Sequence, residues 1–207
     1  MEKDRGKNDA GTEQNSVPHD IHFLTWTALQ PLVKLALTGT PGTGKSTVAK
    51  ILASRGMKIT ELRDLAKEKK LLGKLDRKRG TYEVDVKRLD LAVGEAGVGQ
   101  TAILVGHLAH LVTTDVVIVL RCRPSVLAAR LRSRGYPEQK VAENAEAEAI
   151  DVILVESAET GREVYEIDTT GISPEETADA VLEILAGEKE KYAIGNIDWS
   201  EEALDWS

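Results

Sequence analysis

Residues 39 to 46, Gly39-Thr40-Pro41-Gly42-Thr43-Gly44-Lys45-Ser46, match the pattern G-x-x-x-x-G-K-[ST] in full, and Thr47 follows. Glycines at this spacing let the backbone curl so that successive N–H groups converge on one concavity that holds phosphate oxygens. Lys45 is placed to reach β- and γ-phosphates, and the Ser46 hydroxyl is placed to ligate a magnesium ion bridging them. The chemistry indicated is binding or transfer of a nucleotide's terminal phosphoryl group.

Such a loop works only between a strand and a helix, and both flanks fit. Lys34 to Thr38 is a short apolar run that predicts a buried strand. Ser46 to Arg55, with Val48, Ala49, Ile51 and Leu52, predicts a helix whose N-terminal dipole faces the phosphate. Gly56 closes that helix, and Met57 to Thr60 reads as a second strand. Residues 61–81 begin as a helix (Leu62, Leu65, Leu71, Leu72) and become a basic loop, Lys74 to Gly80. Asp85 to Val93 predicts a helix. Gly94 to Gly99, between a helix and a strand, is a turn and not a dinucleotide fingerprint. Ala102 to Gly106 and Val116 to Leu120 are continuous aliphatic strands, and Glu163 to Asp168 is a fifth. Helices are expected over Ser125–Arg134, from Pro137 to about Thr160, and over Pro174–Ala186 with Ser173 as cap. The alternation predicts a doubly wound α/β domain of the phosphate-loop NTPase class, with a mostly parallel five-stranded sheet.

The chain has 207 residues, enough for one substantial core, and a net charge of −7, so no whole-molecule basic field invites nucleic acid. The single cysteine, Cys122, excludes an internal disulfide framework and fits a reducing compartment. No run approaches a membrane span, and residues 1–20 are too polar for a signal peptide. The expectation is a cytoplasmic protein. Residues 1–32 are expected to be a disordered or non-native extension, 33–187 the domain, and 188–207 a tail. Trp199 and Trp206 lie in that tail, where exposed tryptophans are costly unless they dock on the domain or a partner.

The loop alone does not choose among kinase, GTPase, motor and helicase. No Asn-Lys-x-Asp guanine-reading segment occurs. The chain has room for two insertions, 61–84 and 133–143, where small nucleoside monophosphate kinases carry an acceptor-binding flap and a lid. Arg130 and Arg134 lie four residues apart on one helix face, leading into the turn Arg134-Gly135-Tyr136-Pro137. Arginines there can clamp a transferring phosphate, or simply complement their own helix dipole.

Several motifs occur in order: Thr38 to Thr47, Asp64-Leu65-Ala66, Gly106-His107-Leu108-Ala109-His110, Val119-Leu120-Arg121-Cys122 and Arg134-Gly135-Tyr136. Glu143-Asn144, Glu146-Ala147-Glu148 and Ile197-Asp198-Trp199-Ser200-Glu201 complete the set. Together they resemble the archaeal branch of the adenylate kinase isoenzyme 6 family, the coilin-interacting nuclear ATPases, from about residue 34 onward. The resemblance implies a broad-specificity nucleoside monophosphate kinase, favouring AMP, that uses magnesium with ATP and also hydrolyses ATP. It implies a role in late maturation of the small ribosomal subunit through the platform ribosomal protein S-eleven. An ATP-controlled assembly factor or chaperone of that protein, with negligible kinase role, is the alternative. By the same resemblance Gly42, Gly44, Lys45, Ser46 and Thr47 bind ATP, Arg134 is the lid arginine and 61–84 binds the monophosphate. One position departs from the family. Its third strand usually ends in an acid, two residues before the histidine, that helps hold magnesium; here Val105 stands there.

His107 and His110 have no nearby Cys, Asp or Glu to complete a zinc set. His107 either orients a water or γ-phosphate as a catalytic residue, or packs. Glutamates 143, 146, 148, 156 and 159 are expected on the solvated face of one long helix, or as an acidic surface for a basic partner.

Overall fold

A computed structural model describes residues 33–76, 81–95, 102–203 and 206. In chain order the strands are β1 (Lys34–Thr38), β2 (Lys58–Glu61), β3 (Leu72–Asp76), β4 (Thr81–Val84), β5 (Ala102–Val105), β6 (Val116–Arg121) and β7 (Glu163–Asp168). The helices are α1 (Lys45–Ser54), α2 (Leu62–Glu68), α3 (Val86–Glu95), α4 (Pro124–Ser133), α5 (Glu138–Ala149), α6 (Val152–Ala158), α7 (Pro174–Ala186) and α8 (Ser200–Ala203). The expectations for residues 1–32, for the loop tip at 77–80 and for the turn residues 96–99 lie outside the described residues.

The five-stranded parallel sheet expected from the aliphatic runs is present, in the order β2-β5-β1-β6-β7. Its three central strands are almost wholly buried, as continuous Leu, Val, Ile and Ala runs require when helices cover both faces. Side chains alternate between the faces. Ala36, Leu104, Val117 and Val119 join Leu62, Leu65, Leu89, Val93 and Leu154 in one core layer. Leu35, Leu37, Ile103, Ile118 and Leu120, also buried, therefore point to the other face. The chain leaves β1 toward β2 and β5 on one side, then crosses to β6 and β7 on the other. The carboxyl end of β1 is thus the switch point where open α/β sheets take ligands, and the phosphate loop begins there.

Two elements differ from the sequence reading. The basic loop after α2 contains the antiparallel hairpin β3–β4, with Leu72 opposite Val84 and Leu75 opposite Tyr82. The long helix from Pro137 to Thr160 is broken into α5 and α6 at Asp151, whose φ of 59° is left-handed. Aspartate tolerates that conformation better than most residues, and here its carboxylate pairs with the buried Arg121.

The tail returns to the domain. Glu166 of β7 accepts N–H bonds from Gly195, Asn196 and Ile197 at 2.9, 2.9 and 3.2 Å. Trp199 is buried beneath the Arg123 guanidinium, 5.4 Å from the ring centroid, and Glu202 caps the N-terminus of α4 through the Ser125 amide at 2.9 Å. Trp206 packs on the cluster of Leu127, Leu131 and Val141. Of the two destinations open to these tryptophans, they take the domain.

Candidate active site

The loop between β1 and α1 needs its glycines for steric reasons. Gly39 has φ 134°, and a Cβ there would sit 2.3 Å from the Leu120 carbonyl oxygen. Gly42 has φ 102°, and a Cβ would meet Leu127 Cδ1 at 2.7 Å. Both positions combine a left-handed backbone with no room for a side chain. Gly44 precedes α1 without any side-chain cap, so no side chain competes with an anion at the start of the helix, although the Thr47 amide donates to the Gly44 carbonyl at 2.9 Å. Thr43 Oγ1 donates to the Thr40 carbonyl at 3.0 Å, and Thr169 Oγ1, after β7, lies 3.1 Å from the Thr43 carbonyl. These bonds fix the loop from within and from the sheet behind it.

Lys45 Nζ lies along the loop, donating to the carbonyls of Gly39 and Thr40 at 2.6 and 2.9 Å. Its pKa is lowered to about 8, first by burial and secondarily by Arg134, against the opposing pull of Glu148 and Glu61. Ser46 and Thr47 are exposed at the start of α1. Arg134, the C-terminal residue of the α4 turn, is also exposed, and its charge acts on Lys45. The structure therefore brings Gly42, Gly44, Lys45, Ser46, Thr47 and Arg134 to one pole of the sheet. Arg130 is differently occupied, reaching the Thr169 carbonyl at 2.7 Å, and Arg132 pairs with Glu138 across the turn.

The two histidines separate in role. His110 is buried, its Nδ1 3.1 Å from Thr38 Oγ1 and its Nε2 2.9 Å from Glu156 Oε2, so it braces the end of β1 against α6. His107 is exposed at the end of β5, and desolvation by its surroundings, then the charges of Lys45 and His110, hold its pKa below the usual value. A neutral imidazole near Lys45 can accept or donate a hydrogen bond but carries no compensating charge. Cys122 does no comparable work: burial pushes its thiol up to about 11.

The expected solvated face of glutamates is corrected at Glu148, while Glu156 is exposed as expected. Glu156 holds His110, and Glu148 is buried beneath the phosphate loop. Glu148 Oε1 accepts from Arg121 Nε at 2.8 Å and from the Cys122 amide at 3.0 Å, while Oε2 accepts from Thr40 Oγ1 at 2.5 Å. Arg121 also reaches Glu166 at 3.1 Å and Asp151. One buried guanidinium thus ties the phosphate loop, α5, the α5–α6 break and, through Glu166, the tail. The available signals were Arg121, a charge closing an otherwise aliphatic strand, and the motif Glu146-Ala147-Glu148, which did not mark Glu148 as buried.

Glu61 is a further residue that sequence reading passed over. It ends β2, in register with Val105 of β5, which is buried and offers no oxygen. Glu61 and Ser46 line one cavity of about 370 Å³ with Lys50, Arg63, Asp64 and Lys67. Desolvation raises the pKa of Glu61, and a hydrogen-bond interaction with the Ser46 side chain opposes the rise. Among the described residues no three His, Cys, Asp or Glu side chains cluster as a metal cage. Magnesium delivered with a nucleotide needs only one or two protein oxygens beside phosphates and waters. Ser46 and Glu61 fit that demand.

A family model described as "AAA domain" matches residues 35–151, over half of the chain. Among curated proteins, one from Archaeoglobus fulgidus named "Putative adenylate kinase" is 47% identical over 83% of this chain and 94% of its own length. Proteins of the same name from Thermococcus onnurineus and Methanocaldococcus jannaschii are 45% and 39% identical, over 81% and 84% of this chain and 92% and 97% of theirs. Among solved structures, a shikimate kinase from Acinetobacter baumannii superposes with TM-score 0.55 at 19% identity, over 80% of this chain and 99% of that one. A sugar kinase from Janibacter superposes with TM-score 0.54 at 17% identity, over 75% and 95%. These two likenesses establish the shared fold. No helix among the described residues is long and apolar enough to cross a membrane.

Proposed function

The chain belongs to the archaeal family whose curated members are named "Putative adenylate kinase", and from that premise we propose that it transfers the γ-phosphoryl group of ATP to a nucleoside monophosphate, AMP foremost. The observation that carries the reading is the convergence of the half-buried Lys45, the exposed Ser46 and Thr47 and the turn arginine Arg134 around one glycine loop. Phosphoryl transfer asks a protein for positioning and charge neutralisation more than for covalent chemistry, and these groups supply both.

In this reading the backbone of 42–47 cradles the triphosphate, Lys45 and Arg134 neutralise charge that shifts as the phosphoryl group migrates, and Thr47 holds phosphate oxygens. Ser46 faces the magnesium that accompanies ATP; when bound, that ion neutralises phosphate charge. His107 orients the γ-phosphate or a water. Residues 61–84, with α2 and the β3–β4 hairpin, take the acceptor, and 133–143 form the lid that excludes competing water.

Weak ATP hydrolysis, a cytoplasmic location and a role in small-subunit maturation through ribosomal protein S-eleven belong to the same proposal; their support is the motif resemblance. The test is the steady-state rate of ATP loss by the purified protein, alone, with each nucleoside monophosphate, and with the ribosomal protein. Acceleration by AMP supports the kinase. Acceleration by the ribosomal protein with indifference to every monophosphate would replace it with an assembly factor.

A further inference from the structure

We propose that Glu61 supplies, from the neighbouring strand, the carboxylate toward the nucleotide's magnesium that Val105 lacks. The inference rests on reading the loop as a Mg-ATP site and is independent of which acceptor is used.

Three observations carry it. First, Glu61 and Val105 are paired in register on parallel neighbours β2 and β5, both at the carboxyl ends of their strands. Registered neighbours point to the same face of a sheet and lie about 5 Å apart, so a carboxylate at 61 occupies the flank that one at 105 would have occupied. Second, Glu61 and Ser46 line the same cavity, at the end of β2 and the start of α1. Third, Glu61 lacks the ordinary structural employment of its position. It is the N-cap residue of α2, yet its side chain makes no capping hydrogen bond. A half-buried carboxylate that makes no cap is free to turn toward a cation in the cavity. Asp64 lines the same cavity but is exposed and pairs with Lys67 at 3.7 Å.

The inference has a defined electrostatic signature. A carboxylate beside Ser46 repels metal-free triphosphate and attracts a divalent ion. Removing its charge without changing its shape, by Glu61→Gln, therefore weakens metal binding while leaving metal-free nucleotide binding unchanged or tighter. A merely structural role predicts no such opposition.

The experiment measures Mn²⁺ binding, by electron paramagnetic resonance, to the complex of the protein with a non-hydrolysable ATP analogue, and by calorimetry the analogue's affinity without metal. Glu61→Gln is expected to weaken Mn²⁺ binding about tenfold, and Asp64→Asn to leave it within about twofold, as suits an exposed residue. Val105→Asp added to Glu61→Gln is expected to restore it. Mn²⁺ binding by Glu61→Gln equal to that of the unaltered protein would overturn the inference and leave the Mg-ATP reading intact. Failure of the unaltered protein to bind the analogue at all would overturn both.

Discussion

Thr40 Oγ1 donates a 2.5 Å hydrogen bond to Glu148 Oε2, joining the phosphate loop to α5, a helix 108 residues away in the chain. Glu148 is held in turn by Arg121, and both are almost fully buried. Buried ion pairs contribute little net stability when intact, because desolvation offsets attraction, but removing one partner strands the other's charge. The network's evident effect is on shape. It fixes the carbonyl-lined edge of the loop on which Lys45 rests.

Glu148→Ala should therefore lower unfolding free energy by about 3–5 kcal/mol, since it takes from the buried Arg121 guanidinium a carboxylate that is itself buried. Urea denaturation measures this. Nucleotide affinity should fall as well, because the Thr40 anchor is lost. A stability change under about 1 kcal/mol would mean that Glu166 and Asp151 already satisfy Arg121.

Lys45→Ala should lower kcat roughly 100- to 1000-fold, the usual cost of deleting one preorganised charge-stabilising group, while leaving the melting temperature unchanged or higher. The reason for the second expectation is that burial already disfavours the charged ammonium. Near-normal kcat would remove Lys45 from the chemistry.

The pKa of about 8 at Lys45 gives a pH dependence with a definite sign. A lysine depressed in the folded state costs stability while it is charged there, so its cost is full below about pH 8 and is relieved as pH rises from about 8 toward the ordinary lysine value. Nucleotide binding runs the other way, because phosphate favours the ammonium. ATP affinity should decline above pH 8, and binding at pH 8.5 should take up protons. Calorimetry in buffers of different ionisation enthalpy measures that uptake; its absence would show that Lys45 titrates elsewhere.

Arg134→Ala should lower kcat roughly 100-fold or more with a small change in KM for ATP, because an exposed arginine at a turn engages when the site closes. A rise in KM alone would make Arg134 a ground-state contact.

What was legible in the chain follows from physical range. β1, β5 and β6 are aliphatic runs of a kind that only a covered parallel sheet demands, and the glycine pattern is dictated by contacts as short as Gly39 against Leu120. The β3–β4 hairpin was not legible, because it is outside the parallel sheet and Gly73 and Lys74 interrupt its alternation. The break at Asp151 was hidden because helical periodicity runs through it; a pairing with Arg121, 30 residues earlier, compensates it. Glu61 carries no local mark that separates it from surface acids, and the motif that includes Glu148 does not reveal its burial. Only the register of β2 on β5 and the descent of α5 beneath the loop give them their neighbours.

The central claim is that the γ-phosphoryl group goes to a nucleoside monophosphate. The most direct measurement incubates ATP labelled at the γ-phosphate with unlabelled AMP, magnesium and the protein, then follows the label over a single turnover. The account predicts label in ADP, with little in inorganic phosphate, and loss of that transfer in Lys45→Ala. Label appearing only as inorganic phosphate, at a rate indifferent to AMP and every other monophosphate, would contradict it.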